Sequence, residues 1–390
     1  MAFKLVSQYK DSVAGILSGI DLSNVANLYG AFERAARVVI QKCAIPEASG
    51  VQNLTIYSGV TDYNCSTDIF GTSIKDIRPQ GNRRQATDFV YREYSDQFDR
   101  EKGYNTSGTN ATFEYDKGTP IIRIVSTLTP PKQILDTMGD TTDWTAGGNA
   151  PGLAQDSSFY YQSPASLRFN LANAGSNGYL EKTIYSVDLT DYLNVGVGFL
   201  AFECPTGSGI TSVGLRIGSD SSNYYTVTNT EQFLGAFKSG EFQLVDLDLS
   251  ASTTVGSPDI TKITYIRPFI NYNGTAQVNV RFGGLWLSLP LPVQVLYQTA
   301  AIFMASGTPS QTITTDADSI ILNDAAYSIF EYEGALSILQ QTGGNLGTPQ
   351  VQMINNILNG SPAEGIIGLY NLYRGDNPSE RLRNSGSWYD

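Results

Sequence analysis

Between Pro130-Pro131 and Pro290-Leu291-Pro292 the chain alternates apolar and polar residues in short runs, with no stretch of helical periodicity. The runs are Ser166 to Leu171, Tyr179 to Val187, Asn194 to Glu203, Ser212 to Ile217, Asn223 to Thr228, Glu241 to Leu249, Lys262 to Ile270 and Gln277 to Leu289. Runs of period two at such regular spacing read as strands, and strands with one apolar face each must pack as two sheets to hide that face. The expectation is a β-sandwich over residues 131–291. Val213, Leu215 and Ile217 share one side of their strand, and Gly214 and Arg216 take the other. In Phe242 to Leu249 the apolar phase slips from even to odd positions, which predicts a bulge near Val245-Asp246. Pro268 cannot donate to a ladder, so its strand is predicted to be an edge, at least locally.

Outside the proline joints the period changes. Val25, Leu28, Phe32, Ala35 or Ala36 and Val39 recur at helical spacing from about Leu22 to Cys43, with Asp21 or Ser23 as cap and Pro46 as stop. Met1 to Gly19 reads as an extended arm or a weak helix. Leu54 to Tyr57 and Ser73 to Ile77 are strand-like, and a charged surface helix is expected from about Thr87 to Glu101. Asp116-Lys117-Gly118 predicts a hairpin joining Thr112–Tyr115 to Pro120–Ser126. After a strand at Val293 to Phe303, helices are expected from the spacing of Ala325, Ile329, Tyr332, Leu336 and Leu339, and from Pro349 to Leu358. A third is expected from the capping box Ser361-Pro362-Ala363-Glu364 to about Asn371. The fold class is therefore α+β and predominantly β: a jelly-roll sandwich, residues 131–291, inserted into a discontinuous helix-plus-strand domain of residues 1–130 and 292–390.

Composition removes whole classes of chemistry. The 390 residues contain no His, which excludes imidazole bases and Ser-His-Asp or Cys-His catalysis. With 25 basic against 37 acidic residues the net charge is −12, which disfavours general nucleic-acid binding. Cys43, Cys65 and Cys204 are too few and too scattered for a disulfide framework, and they read as free thiols of a protein made in a reducing compartment. No apolar run reaches the ~18 residues of a membrane span, and no membrane partner is expected. None of the nucleotide, zinc-protease or hydrolase-elbow motifs is present, so no catalytic residue and no cofactor are assigned.

Weaker constellations remain. Glu203, Asp220, Glu241, Asp246 and Asp248 lie in or beside sandwich strands, where a carboxylate pair could serve glycoside hydrolysis; solvated side chains are the commoner outcome. Asp136, Asp140 and Asp143 lie close together at the entrance to the sandwich and are candidates for a structural calcium ion, against the plainer reading of a charged loop. Tyr160, Tyr161, Tyr224, Tyr225, Tyr265 and Tyr272 form an aromatic set suited either to sugar rings or to subunit contacts. Alternation sends Tyr224 and Tyr225 to opposite faces, so one of them belongs to the core. Arg78, Arg83, Arg84 and Arg92 make the one basic concentration, a contact for phosphates or an acidic subunit surface, or else a solvated loop. Arg78, Arg83, Arg84, Tyr224, Trp388 and Tyr389 are the interaction candidates.

Ser163-Pro164-Ala165-Ser166-Leu167-Arg168-Phe169, Asp188-Leu189-Thr190-Asp191-Tyr192, Phe242 to Leu249 and Val278 to Leu289 resemble the opening, middle and closing elements of galactose-binding-like jelly rolls among carbohydrate-binding modules, over about 150 residues. The flanks resemble the head-to-tail connector, or adaptor, proteins of tailed bacteriophages. That resemblance rests on the N-terminal helix, Tyr63 leading into Asp68-Ile69-Phe70, Ile74-Lys75-Asp76-Ile77-Arg78, and C-terminal helices ending in a polar tail; the proline that usually follows the tyrosine is missing. It implies a structural virion protein synthesised in the host cytoplasm. Such a protein forms a homo-oligomeric ring, on the order of six or twelve copies, that meets portal or other neck and tail proteins, with Met1 to Gly19 and Arg374 to Asp390 ordering only on assembly. The alternative is a glycan-binding jelly roll, free or displayed on a virion, that holds a surface polysaccharide.

Overall fold

The computed structural model describes residues 4–18, 20–43, 45, 48–79, 90–91, 112–116, 121–125, 130–162, 164–299, 301–342, 349–361 and 366–376. The chain forms two compact units, Met1–Gln52 with Ser66–Ile77 and Val295–Asp390, and Asn53–Cys65 with Arg78–Gln294. The chain crosses between them inside the strands Ser49–Ile56, Ile69–Pro79 and Leu291–Thr299, and once more between Cys65 and Ser66. The proline joints set the expected domain limits at 130/131 and 291/292; the sandwich unit carries residues 53–65 and 78–130 as well. The fold is α+β and predominantly β.

The first unit combines helices with short strands. Helices α1 (Val6–Ile16), α2 (Leu28–Lys42), α3 (Asp324–Gln341), α4 (Pro349–Asn359) and α5 (Leu369–Asp376) bury one apolar core. Asn27 and Asn323 cap α2 and α3, each accepting a backbone N–H three residues on. The N-terminal segment is not an arm awaiting assembly, because Tyr9 and Val13 of α1 are fully buried. The Tyr9 ring stacks on Phe330 at 4.1 Å and its hydroxyl donates to the Phe330 carbonyl at 2.6 Å. At the other end Pro362, Ala363 and Glu364 of the predicted capping box lie outside the described residues. Ser361 and Ile366–Ile367, expected to be helical or to cap a helix, are strand residues, with Ile366–Ile367 paired antiparallel to Gly360–Ser361, and a helix begins at Leu369.

The sandwich has twelve strands: β1 (Lys132–Asp136), β2 (Thr145–Gly148), β3 (Ala154–Asp156), β4 (Ser166–Leu171), β5 (Asn177–Val187), β6 (Val197–Glu203), β7 (Ile210–Gly218), β8 (Tyr224–Asn229), β9 (Gln243–Asp248), β10 (Thr253–Val255), β11 (Ile263–Tyr272) and β12 (Gln277–Ser288). They form a first sheet in the order β3-β4-β12-β6-β9, with β1 also on β12, and a second in the order β10-β8-β7-β11-β5-β2. Every pairing within these two sheets is antiparallel. Between the sheets lie Leu167, Phe169, Leu200, Phe202, Val245, Leu247, Val280, Phe282 and Leu285 from one side and Leu180, Val213, Leu215, Ile217, Ile266 and Ile270 from the other. Each fully buried aliphatic or aromatic side chain of this kind contributes about 1.5–3 kcal/mol.

Three local expectations are corrected. Pro268 lies in β11, the fourth strand of six and no edge; the ladder to β5 runs Tyr179↔Phe269 and then Lys182↔Ile266, passing over the residue that lacks an N–H. No bulge interrupts β9, which pairs with β6 in continuous register from Asp248 to Gln243. The inward positions are Gln243, Val245 and Leu247, and the buried Gln243 amide is satisfied by Lys238, accepting from its N–H at 2.8 Å and donating to its carbonyl at 3.0 Å. The shift falls instead in β12, where the core side passes from Val280 and Phe282 to Leu285 and Leu287 across Gly283-Gly284. Finally, Val90-Tyr91 is no part of a helix; it pairs in parallel with Thr112-Phe113, and the rest of Thr87–Glu101 lies outside the described residues. The hairpin at Lys117 is present as Thr112–Asp116 against Ile121–Val125.

Candidate functional site

The two outer faces of the sandwich differ. On the first sheet Phe199 and Trp286 point away from the core yet are buried. Residues of the 53–65 segment cover them: the Trp286 indole donates to the Ser58 carbonyl at 2.9 Å, the Ser58 N–H donates to Ser288 Oγ at 2.8 Å, and Tyr57 packs on Phe199. Arg281 of β12, on the same face, is bound by Asp156 at 2.9 Å and by Glu203 at 2.7 Å. That face is closed by its own chain.

The outer face of the second sheet keeps Thr183, Tyr185 and Thr228 exposed and Tyr179, Glu181, Arg216, Tyr224 and Arg267 half-buried. Register arranges its side chains in rows across the strands. One row runs Gly147, Tyr179, Phe269, Gly214, Thr228, and the next contains Arg267, Arg216 and Thr226; a third runs Thr183, Tyr265, Gly218, Tyr224. The glycines decide how the rings lie. A Cβ on Gly147 would overlap the Tyr179 ring, and one on Gly214 the Phe269 ring, so each aromatic lies down over its cross-strand glycine. The basic row stacks between the aromatic rows: the Arg267 guanidinium stands 4.2 Å from the Tyr179 centroid and 5.5 Å from Tyr265, and that of Arg216 4.9 Å from Tyr224 and 5.6 Å from Phe269.

Glu181 of β5 joins this face to a cleft. Its Oε2 accepts from the Tyr265 hydroxyl at 2.9 Å and from Arg267 Nε at 2.9 Å, and it pairs with Arg267 Nη2 as well. Burial lifts the Tyr265 phenol well above its ordinary range, and donation to Glu181 adds to the rise. Burial is the largest single influence and works against the Arg267 charge, but the bond to Glu181 together with the surrounding Tyr265, Glu181 and Tyr179 carries the net direction upward. The cleft, about 380 Å³, is lined by Asp143, Thr145, Glu181, Thr183, Ser219, Asp220, Tyr265 and neighbours. Its wall is hydroxyls, carboxylates and one ammonium, Lys182, rather than the apolar lining of a typical small-molecule pocket. Asp220 also shapes the β7–β8 turn, accepting from the N–H of Ser222 and of Asn223. The Asn223 side chain, first, and these backbone bonds hold it below the ordinary carboxylate range.

The sequence candidates are distributed unevenly over this geometry. Tyr224 and Tyr265 are on the open face, whereas Tyr225 and Tyr272 face the core, which settles the Tyr224-Tyr225 alternative. Tyr161 stacks on Trp286 on the other sheet. Of the calcium candidates, Asp143 reaches the cleft, Asp136 is paired with Lys182 at 2.9 Å, and Asp140 accepts the Thr142 N–H at 2.8 Å. Among the described residues no group of three or more Cys, Asp or Glu side chains is placed to hold a metal ion. Glu241 pairs with Lys238 at the surface, and Asp246 is held by Asn229. Arg78 stands near the end of the strand Ile69–Pro79; Arg83, Arg84, Arg92, Trp388 and Tyr389 lie outside the described residues. Sequence reading missed Tyr179, Glu181, Tyr185, Arg216 and Arg267 as a group, although odd positions 179 to 185 carry the polar face of a strand in plain alternation.

No protein-family profile matches the chain, and no curated protein matches it. Among solved structures it is similar to a family 30 carbohydrate-binding module, at 15% identity over 42% of this chain and 98% of the other with a TM-score of 0.30. It is similar to a structure described as showing the promiscuous specificity of carbohydrate-binding modules of the β-sandwich superfamily, at 13% identity over 62% and 99% with a TM-score of 0.31. A family 11 carbohydrate-binding module from Clostridium thermocellum, in complex with a β-1,3-1,4-mixed-linked tetrasaccharide, is similar at 11% identity over 42% and 94% with a TM-score of 0.27. None of the three is described as a phage connector. Among the described residues no helix is long and apolar enough to cross a membrane.

Proposed function

We propose that the sandwich binds a glycan on the outer face of its second sheet and holds it without chemical turnover. The observation that carries this reading is the pairing of the half-buried rings of Tyr179, laid on Gly147, and Tyr224 with a cleft of hydroxyls and carboxylates. A sugar presents an apolar C–H face and a rim of hydroxyls, and such a surface matches both at once. Tyr185, 97% exposed at the end of the same strand, extends the platform for a chain of several sugars. Glu181 is engaged by a guanidinium and a phenol, which suits a fixed acceptor for ligand hydroxyls better than a free acid or base. The ring-forming neck reading of the flanking segments is favoured by no geometry among the described residues, so the glycan reading takes first place.

The test is isothermal titration calorimetry of the full-length protein against a panel of neutral and acidic polysaccharides. Binding to at least one of them is expected, with affinity lowered about tenfold or more in Tyr179→Ala and Tyr185→Ala at unchanged melting temperature for the latter. Absence of binding across the panel, or binding indifferent to both changes, would falsify the reading.

A further inference from the structure

Arg267 is paired with Glu181, and Arg281 with Asp156 and Glu203, but Arg216, like Arg168 on the other sheet, makes no ion pair and no hydrogen bond among the described residues. What sets it apart is its Nε, the one arginine nitrogen that is buried without a hydrogen-bond partner among the described residues. A guanidinium deprived of water on one side and left without an acceptor carries an uncompensated cost. Its cross-strand neighbour makes matters worse, since Arg216 is directly opposite Arg267, and like charges in register destabilise a sheet. What holds the side chain is aromatic: Tyr224 on one side and Phe269 on the other.

We propose that this guanidinium is the anchor for the carboxylate of a hexuronate, so that the glycan is an acidic polysaccharide. The inference rests on the glycan-binding reading of the same face and names its substrate class. Of the two guanidiniums opposite each other there, Arg267 takes the one carboxylate, Glu181, and Arg216 has none, leaving a local excess of positive charge on a chain whose net charge is −12. The planar fork of arginine matches a carboxylate with two parallel N–H bonds, and stacking fixes its plane before the ligand arrives, which lowers the ordering cost of binding. The neighbouring cleft has the opposite character. Asp143, Glu181 and Asp220 repel a carboxylate and accept from hydroxyls, so the two regions together set which way round the sugar lies.

The experiment uses matched polymers that differ in the carboxylate alone: polygalacturonate, alginate and hyaluronan, each beside its carboxyl-reduced neutral form. They are titrated into the full-length protein at constant ionic strength. At least one acid form is expected to bind about tenfold or more tightly than its reduced counterpart, and the preference should weaken as salt is raised. In Arg216→Gln the ratio of acid to neutral affinity should fall to about one; in Arg216→Lys, which keeps the charge and loses the fork, it should fall between. Melting temperatures of both variants guard against misfolding, and the ratio, read within each variant, separates loss of the carboxylate preference from any general weakening of the face. Equal binding of acid and reduced forms overturns the hexuronate inference and leaves the glycan reading standing. An acid preference that survives Arg216→Gln overturns the anchor. No binding of any polymer in either form overturns both.

Discussion

At the scale of single residues, the sandwich places its charges by neutralising them, and Arg281 is the clearest case. It draws Asp156 from 125 positions away and Glu203 from 78, on a face that the chain covers. The Ser158 hydroxyl and then Arg281 hold the Asp156 carboxyl well below the ordinary range, whereas burial lifts that of Glu203. A depressed carboxylate adds stability above its unfolded pKa, and that contribution fades as pH falls through the folded value. Asp156→Asn is therefore expected to cost about 1–3 kcal/mol at pH 7 and progressively less below about pH 4. Urea unfolding of both proteins at pH 7 and pH 3 checks this, and an equal cost at the two values would contradict it. Burial first, and Glu203 second, push the Cys204 thiol up to about 12. With Cys43 and Cys65 also buried, a thiol reagent at pH 8 should leave the native protein unlabelled and modify three residues once it is unfolded. None of these partnerships was legible in the sequence, because a charge identifies its partner only through the fold; Asp136, a calcium candidate beside the plainer reading of a charged loop, is paired with Lys182.

At the scale of elements, legibility follows periodicity. All eight strands read from alternation are present, because each has a core face that the pattern records. The strands at Lys132, Thr145, Ala154 and Thr253 were missed, being three to five residues long, too short for a period to show. Rules about single residues were less dependable than runs: Pro268 sits inside a sheet because one unpaired position is tolerable, and Ser361, read as a helix cap, is a strand residue paired with Ile366. The glycines of the open face belong to this scale, since they act through the neighbouring strand. Gly214→Ala would drive a methyl into the Phe269 ring and towards the Val227 carbonyl. The expected outcome is a loss of about 1–3 kcal/mol together with loss of glycan affinity, as the ring tilts off the sheet. Tyr185→Ala, by contrast, should change stability by no more than about 0.5 kcal/mol and still weaken binding. Thermal melts read beside titrations separate the two; a Gly214→Ala protein that binds normally would remove the flat ring from the account.

At the scale of the whole molecule, the question is what counts as the sandwich. The proline joints mark off residues 131–291, and those residues supply all twelve strands and the core between the sheets. They do not supply the cover of the first sheet. Trp286, Phe199 and Ser288 are completed by Tyr57 and Ser58, more than 130 positions earlier in the chain, and Tyr63 adds its ring to Phe233 over the same surface. An insertion needs only that its ends return to the host, yet here the host sequence also provides a piece of the inserted unit's surface. Two fragments separate these possibilities: residues 131–294, and residues 53–294 with 66–77 replaced by a flexible linker. With Trp144 changed to Phe in both, the emission reports Trp286 alone, since Trp388 lies outside either fragment. The short fragment should emit at longer wavelength, bind a hydrophobic dye and melt several degrees lower, since removing the cover exposes two large aromatic side chains worth about 1.5–3 kcal/mol each. Both fragments should bind glycan alike, because the second sheet's open face draws on neither Tyr57 nor Ser58. Identical emission and melting would mean that the 53–65 segment merely lies against a sandwich stable without it, and the domain limit would return to the prolines.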